Sequence, residues 1–386
     1  MSRIVSWMKK SHTLKMPLIG DLMISLGRTI LAFILGLFVC AVLVALFGVN
    51  PLEAYGDMLY GAFGTFANFT NVLVRASPLI LGGMGVALGI KAGIWNTGIE
   101  GYMYLGAIGA AIAGIPDLGI PKFFHILLVF LCAMAFAGVW GLIPGVLRAR
   151  VGVNEVTSTI MLNYVAIYLT TWFVSDPQPL AEQDSFYPMS KQLADSALLP
   201  ILMKGTSFHP GIFIGIGICI LFSFILFRTS FGIKVRMLGG NSGAARYAGV
   251  NSGQMIIAVM VIGAMLGGLS GAIEVTGLRG RVYMEFVTGV GYQSVAVALV
   301  AGGSPIGVIV AGMVLAVLKA GGSTMSVMTN LPSSMSDIII AVCVLFVIAF
   351  GIGDAHAAKK KEKKPNLWST CRMNKNGYDT AEEESE

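Results

Sequence analysis

Apolar residues form long runs separated by short polar segments along most of the chain. About 20 apolar residues in a helix span the hydrocarbon core of a bilayer, so runs near that length predict membrane-spanning helices. Ten such runs lie at roughly 29–48, 72–91, 95–115, 123–147, 156–174, 211–228, 255–273, 286–302, 305–320 and 336–353. The pattern predicts an all-α, polytopic transmembrane helix bundle of about ten spans.

Three of these runs differ from an ordinary span. The run at 95–115 is rich in glycine, while those at 286–302 and 305–320 are short. Irregular segments at membrane depth are stable only where protein or a water-lined cavity covers the backbone. We therefore expect broken or re-entrant segments among the ten.

The composition supports a membrane protein. Of the 386 residues, 55% are hydrophobic and 12% are charged, whereas a soluble domain carries about 25% charged residues. The 49 glycines agree with this, because glycine allows transmembrane helices to approach closely. A chain of this length with so few charges lacks the polar exterior that a water-soluble fold needs.

The basic residues predict the orientation. With ten crossings, 19 of the 26 Lys and Arg residues fall on the side that holds both termini. Because Lys and Arg are concentrated in cytoplasmic loops, both termini are expected to be cytoplasmic in a multi-pass protein of the cell membrane. The first apolar run has no cleavage pattern after it and is expected to be an uncleaved anchor. The net charge of +6 does not indicate nucleic-acid binding, because the basic residues form no stripe with exposed aromatics.

This topology divides the chain into three parts. Residues 1–28 form a cytoplasmic N-terminal segment, residues 29–353 form the transmembrane domain, and residues 355–386 form a charged cytoplasmic tail that is expected to be disordered. Within the domain, residues 175–210 form an external loop whose apolar patch at 198–202 is expected to be a short surface helix. Residues 228–254 form a cytoplasmic loop.

The cytoplasmic loop is basic and contains a helix-like stretch at 242–249. Its small residues allow it to lie in a groove, while Arg246 can pair with an acidic partner and Tyr247 can fill a pocket. Such a contact transmits rigid-body motion from a partner to the membrane bundle. The alternative is an ordinary loop held by lipid head groups, and the residues alone leave both open.

Two glycine-rich segments, at 95–101 and 289–293, place polar groups between apolar runs, where they are costly unless partnered or facing a pathway. For the first segment we favour a capping box from Thr97 to Glu100 over contact with a substrate. The second segment resembles its counterpart in the other half of a pseudo-repeat, as in many transporters. For Asn163, interhelical hydrogen bonding is the alternative to lining a path. The candidate residues of a translocation path are Trp95, Asn96, Glu100, Asn163, Tyr292 and Gln293.

Arg279 and Arg281 lie in a short external loop, against the charge rule. Either they form salt bridges with Glu274 or Glu285, or they dock an extracytoplasmic binding protein by charge pairing.

No segment predicts an enzyme. The chain lacks the G-x-x-x-x-G-K-[ST] phosphate loop, and it contains neither a nucleophile–base constellation nor a spacing of His or Cys residues typical of a metal site. We expect buried, inert thiols and no cofactor in this chain.

Four segments together resemble the permeases of ABC importers in the branched-chain amino acid and ribose transporter superfamily. The cytoplasmic loop resembles the coupling-helix region of that family, which reads approximately R-x-x-G-x-N-x-x-A-A-x-x-x-G. The matching residues are Arg236, Gly239, Asn241, Ala244, Ala245 and Gly249. Residues 89–110 resemble the family's Asn-x-Gly-x-Glu-Gly segment, and residues 289–312 its second glycine-rich segment. Residues 152–169 are similar to a stretch of the nucleoside permeases that work with basic-membrane-protein lipoproteins.

The resemblance implies a permease subunit that forms the path for nucleosides. A permease for simple sugars such as ribose is the first alternative, and an ion-coupled secondary transporter is the second. Implied partners are an ATP-hydrolysing subunit that holds ATP and Mg, a second homologous permease, an extracytoplasmic substrate-binding lipoprotein and membrane lipid. The implied ATPase-coupling residues are Arg236, Asn241, Ala245, Arg246, Tyr247 and Gly249. The chain departs from the family at Tyr102, where a glutamine is usual.

Overall fold

A computed structural model describes residues 19–287 and 289–362, and the side chains of residues 31–287 and 289–350. Within these residues the protein is all-helical, and its extended pairing consists of two isolated bridges, Ala181 with Ser190 and Met189 with Tyr283. The helices are α1 (Ile19–Leu46), α2 (Pro51–Phe63), α3 (Phe66–Lys91), α4 (Ile99–Gly114), α5 (Lys122–Val146), α6 (Glu155–Phe173), α7 (Gly211–Arg228), α8 (Ser230–Gly240), α9 (Ser242–Tyr247), α10 (Ser252–Glu274), α11 (Val290–Val300), α12 (Pro305–Met328) and α13 (Ser334–Glu362).

Each of the ten predicted apolar runs contains one of these helices, and the all-helical class is confirmed. Five described helices are long and apolar enough to cross a membrane by themselves: α3, α5, α7, α10 and α12, where α5 and α10 are extended by short π-helical turns. A bent pair, Leu31–Leu46 with Pro51–Phe63, raises the number to six if it forms one span. The predicted count of about ten spans is therefore not confirmed.

Contacts divide the described chain into two units. The larger unit, Ala41–Ile340, is built around α3 and α10: α10 packs against α4 and α5, and α3 packs against α11 and α12. One of its buried clusters consists of Leu81, Leu199, Leu269 and Ile273. In the smaller unit, Cys40 of α1 and Cys343 of α13 are both buried and free.

The polypeptide folds back after α3, as expected for the glycine-rich run. Residues 94–98 return alongside the last turns of α3, so that a Cβ at Gly89 would lie 2.9 Å from the carbonyl oxygen of Ile94. A Cβ at Gly82 would lie 3.0 Å from a methyl carbon of Ile99, the first residue of α4. Helix α4 therefore begins beside the middle of α3.

Helix α11 begins beside the same part of α3. A Cβ at Gly82 would also lie 2.5 Å from Oγ of Ser294, in the first turns of α11. Beyond the end of α11, a Cβ at Gly303 would lie 3.1 Å from Ile90, near the end of α3. Helix α11 thus runs in the same direction as α3.

Helix α4 runs in the same direction as α10, because Ile99 lies beside Gly267 and Met103 beside Gly271. Helix α10 is antiparallel to α3, because Gly263 lies beside Gly85 and Ser270 bonds to the carbonyl of Pro78. Helices α4 and α11 thus begin beside the same part of α3 and run in opposite directions.

The prediction of a surface helix at 198–202 is wrong. These residues form no helix, because Leu199 is buried in the cluster with α10 and its N–H donates to the carbonyl of Thr276 at 2.9 Å. Leu199 is thus held by tertiary contacts, whereas Pro200, Ile201 and Leu202 are exposed.

The domain boundaries at the two ends shift. Helix α1 begins at Ile19, within the predicted N-terminal segment, and α13 continues through Glu362, into the predicted tail. Residues 1–18 and 363–386, with most of the expected disordered tail, lie outside the described residues.

Candidate functional site

Glu100 connects the two diverging helices. Its carboxylate, at the start of α4, accepts the backbone N–H of Gly289 at 2.8 Å and that of Gly291 at 2.6 Å. The expected capping box from Thr97 to Glu100 is therefore wrong: α4 starts after Gly98 without a side-chain cap. Glu100 instead satisfies the exposed N–H groups at the start of α11, where a negative charge is favourable.

Asn163, on α6, is buried beside Glu100 and is fully hydrogen-bonded. Its Oδ1 accepts the N–H of Gly101 at 3.0 Å, and its Nδ2 donates to the carbonyl of Thr97 at 3.0 Å and to the hydroxyl of Tyr292 at 3.4 Å. These are the interhelical hydrogen bonds that were considered for Asn163 as the alternative to lining a translocation path. Asn163 therefore connects α6 to the start of α4 and to the Tyr292 side chain of α11.

Asn96 and Tyr102 fill the space between the fold-back and α10. Asn96 is fully buried and its Oδ1 accepts the N–H of Gly98 at 3.2 Å. Tyr102, the departure from the family, is also buried, with its ring against Gly98 and Gly267. Both side chains fix the fold-back in place.

A second polar group surrounds Trp95. The backbone N–H of Trp95 donates to Oε1 of Glu155 at 3.3 Å, and Oε2 of Glu155 lies 3.1 Å from Nε of Arg148. Next to it the hydroxyls of Thr97 and Thr159 are 2.7 Å apart. The indole of Trp95 is 48% exposed and the ring of Tyr292 is 41% exposed, so these two aromatic faces are accessible beside a hydrogen-bonded polar interior.

Gln293 is not brought together with the other candidates. Its Nε2 donates to Oδ1 of Asp337 at 3.1 Å, and the same oxygen lies 2.6 Å from Nζ of Lys319. The structure thus joins Asn163 directly to Tyr292 and places Glu100 beside them, through the bonds of Gly101 and Gly291. Asn96 and Trp95 lie in the adjoining fold-back, and Gln293 lies in an ion-pair network with α12 and α13.

The predicted helix in the cytoplasmic loop is present as α9. Asn241 caps it, accepting the N–H of Ala244 at 3.0 Å, and Ala245 is its buried contact. Arg246 and Tyr247 project outward, and Tyr247 is 97% exposed. Two side chains suited to a partner are therefore presented on a short helix that is anchored by one alanine.

Helix α8 connects this segment to the fold-back. Gly239 packs so closely against Lys91 and Gly93 that a Cβ at Gly239 would overlap the carbonyl oxygen of Lys91. The guanidinium of Arg236 lies 5.4 Å from the ring centroid of Phe227. Gly249 ends the segment with φ +80°, a conformation that favours glycine.

Both external arginines are paired. Nε of Arg279 lies 3.1 Å from Oε1 of Glu274, which is the salt bridge that the sequence left open. Arg281 donates to Oε1 of Gln192 at 3.2 Å and lies 3.9 Å from a carboxylate oxygen of Glu182. Docking by these two residues stays a prediction.

The sequence did not predict a hairpin in the segment between α6 and α7. Residues 181–190 pair with each other, and Ser190 N–H donates to the carbonyl of Val282 at 2.8 Å, in the segment that leads to α11. At its tip Phe186 is fully exposed. The one signal available in the sequence is a Phe within a Pro-rich polar loop.

The arrangement offers hydrogen bonding and aromatic stacking. Among the described residues, no group of three His, Cys, Asp or Glu side chains is placed to hold a metal ion, and Cys40, Cys132, Cys219 and Cys343 are free.

Comparison with known proteins is consistent with this architecture. The guanosine ABC transporter permease protein NupP of Bacillus subtilis is 33% identical over 324 residues, which are 82% of this chain and 91% of that protein. The glucose ABC transporter permease protein TsgB13 of Haloferax volcanii is 31% identical over 332 residues, covering 83% and 87%. The nucleoside ABC transporter permease protein NupB of Lactococcus lactis is 28% identical over 353 residues, covering 87% and 97%.

No solved structure matches the chain significantly. The family described as the permease component of branched-chain amino acid transport systems matches residues 68–348, a range that includes the Glu100 junction, the cytoplasmic segment and the external hairpin. This chain belongs to that permease family.

Proposed function

We propose that this chain is the membrane-spanning permease subunit of an ATP-binding-cassette importer and forms the translocation path for nucleosides. The observation that carries the proposal is the junction at Glu100, where two short helices that run in opposite directions meet. Sites of transporters commonly lie where discontinuous helices meet at the interface of two repeats.

The chemistry of the junction suits a nucleoside. Trp95 and Tyr292 provide accessible aromatic faces for a base, and base–aromatic stacking contributes about 1–3 kcal/mol per base. The hydroxyl of Tyr292 lies at the edge of the polar group around Asn163 and is suited to a ribose hydroxyl or a base edge.

The cytoplasmic segment supplies the energy input. A separate ATPase grips α9 through Arg246 and Tyr247, and movement of α8 is passed to the fold-back because Gly239 is in contact with Lys91 and Gly93. Asn96, three residues after Gly93, and Glu100, seven residues after it, belong to the junction. ATP and Mg act on the partner subunit, and this chain needs no cofactor.

The proposed assembly contains a second homologous permease, the ATPase and an extracytoplasmic substrate-binding lipoprotein, all in or at the cell membrane. In it the chain makes about ten crossings with both termini cytoplasmic, as the Lys and Arg distribution predicts. The external hairpin is then on the side of the binding protein, and Phe186 is its exposed anchor.

A sugar permease is the second candidate, because TsgB13 of Haloferax volcanii, a glucose ABC transporter permease by name, is nearly as similar as NupP. Ion coupling is disfavoured by the partners of the buried acids: Glu155 and Glu274 are held by arginines and Glu100 by backbone N–H groups.

Substrate choice is tested by uptake of radiolabelled guanosine, uridine and glucose into cells that express the importer with or without this chain. Dependence of nucleoside uptake on the chain, with no competition by a large excess of glucose or ribose, supports the proposal. Glucose uptake that nucleosides do not inhibit would contradict the nucleoside proposal and support a sugar permease.

A further inference from the structure

A groove lies where α7 ends and α12 begins. It has a volume of about 310 Å³ and is open to the surroundings. The lining residues are Ile220, Ser223, Phe224, Phe227, Arg228 and Ile306. Four of these are large apolar side chains that are at least half exposed, so an occupant of the groove meets a mostly apolar surface.

One end of the groove is strongly basic. Arg228, the last residue of α7, is exposed and lines the groove, and Arg236 of α8 places its guanidinium 5.4 Å from the centroid of Phe227, another lining residue. The sequence contains no Asp or Glu between 196 and 273, nor between 286 and 336. The segments that build the groove therefore bring no carboxylate to it, and Arg228 and Arg236 bring two cations.

A mostly apolar groove with two cations beside Phe227 matches a molecule with a hydrocarbon chain and an anionic head. We propose that this groove binds one anionic phospholipid, with an acyl chain along Ile220, Phe224 and Ile306 and the phosphate between Arg228 and Arg236. Basic residues at the ends of membrane helices attract anionic lipids in the same way.

The position gives the lipid a structural role. Thr229 joins α7 to α8, since its hydroxyl donates to the carbonyl of Ile225 at 2.6 Å and accepts the N–H of Gly232 at 3.3 Å. A phosphate bridging Arg228 and Arg236 fixes the angle of this joint. The proposal does not depend on which substrate is transported.

The test is native mass spectrometry of the purified chain, titrated with phosphatidylglycerol or phosphatidylcholine of identical acyl chains. One tightly bound phosphatidylglycerol is expected. The variants Arg228→Gln and Arg236→Gln should each weaken phosphatidylglycerol binding about fivefold, the equivalent of about 1 kcal/mol per basic residue, and Ser223→Trp should block the groove for both lipids. The matched control is Arg150→Gln, which removes another exposed arginine at a helix end and should leave binding unchanged.

Three results would overturn the assignment. Equal binding of the two lipids, or of wild type and Arg228→Gln, removes the basis for an anionic head group. Displacement of the lipid by inorganic phosphate means that the arginines bind a free anion. Loss of the lipid from the complex assembled with its ATPase assigns the groove to a protein interface.

Discussion

The carboxylate of Glu100 accepts the N–H of Gly291 at 2.6 Å, joining the first turn of α4 to the first turn of α11. The two residues are 191 positions apart, and their helices leave this point in opposite directions. A carboxylate at a helix N-terminus stabilises the N–H groups that have no partner within the helix. One side chain thus determines how the two halves of the larger unit meet.

Glu100→Gln should abolish most uptake while leaving the protein in the membrane. The amide keeps one acceptor oxygen but turns an NH₂ group toward the second backbone N–H, so at least one charge-assisted bond, about 1.5–3 kcal/mol, is lost. Uptake and surface expression are measured together. Glu53→Gln, at an exposed acid on α2, is the control; equal uptake by the two variants contradicts the role of the junction.

Gly291→Ala should destabilise the protein by about 1–3 kcal/mol through overpacking. A Cβ at this position would overlap the backbone N and Cα of Glu100. Thermal unfolding in detergent measures the effect. Gly217→Ala, in α7 with no atom within 4 Å of the new carbon, should be neutral or stabilising by up to about 1 kcal/mol. An unchanged melting temperature for Gly291→Ala would show that the two helices are not in close contact.

Gly239→Ala should uncouple ATP hydrolysis from transport. The new methyl group pushes α8 away from the carbonyl of Lys91, whereas Gly240, the next residue, has no atom within 4 Å of a new Cβ. In the assembled complex, Gly239→Ala is expected to keep ATPase activity and lose uptake, and Gly240→Ala to keep both. Normal uptake by Gly239→Ala would eliminate this contact as the coupling route.

Phe186→Ala should weaken stimulation of the complex by its binding protein without affecting basal ATPase activity. The side chain is fully exposed on a hairpin held by backbone bonds to the segment before α11, so removing it changes the contact surface and leaves the fold intact. The concentration of binding protein that gives half-maximal stimulation should increase at least tenfold. Gln183→Ala, also exposed at the tip, should behave as wild type.

Local pattern predicted the helices well, because an apolar run in a membrane protein is informative by itself. All ten predicted runs contain helices. Helix α2 was missed because its 13 residues mix Glu53, Asp57 and two tyrosines with the apolar positions. Broken or re-entrant segments were expected from the Gly-rich run and the two short runs; the run at 305–320 is instead part of one unbroken helix of 24 residues, α12.

Predictions from local pattern were wrong where the deciding contact joins residues that are far apart in the chain. Thr97 and Glu100 have the spacing of a capping box, but the N–H groups that Glu100 satisfies belong to residues 289 and 291. In the patch at 198–202, Leu199 packs on α10, a contact that hydropathy cannot distinguish from membrane association. The hairpin with Phe186 has no periodicity to reveal it.

The most direct test of the central claim is uptake of labelled nucleoside by the complete importer in proteoliposomes, with ATP inside and the proton and sodium gradients abolished by ionophores. Uptake should continue under these conditions, stop when ATP is replaced by ADP, and be lost with Glu100→Gln. Uptake that persists without ATP and follows an imposed ion gradient would contradict it.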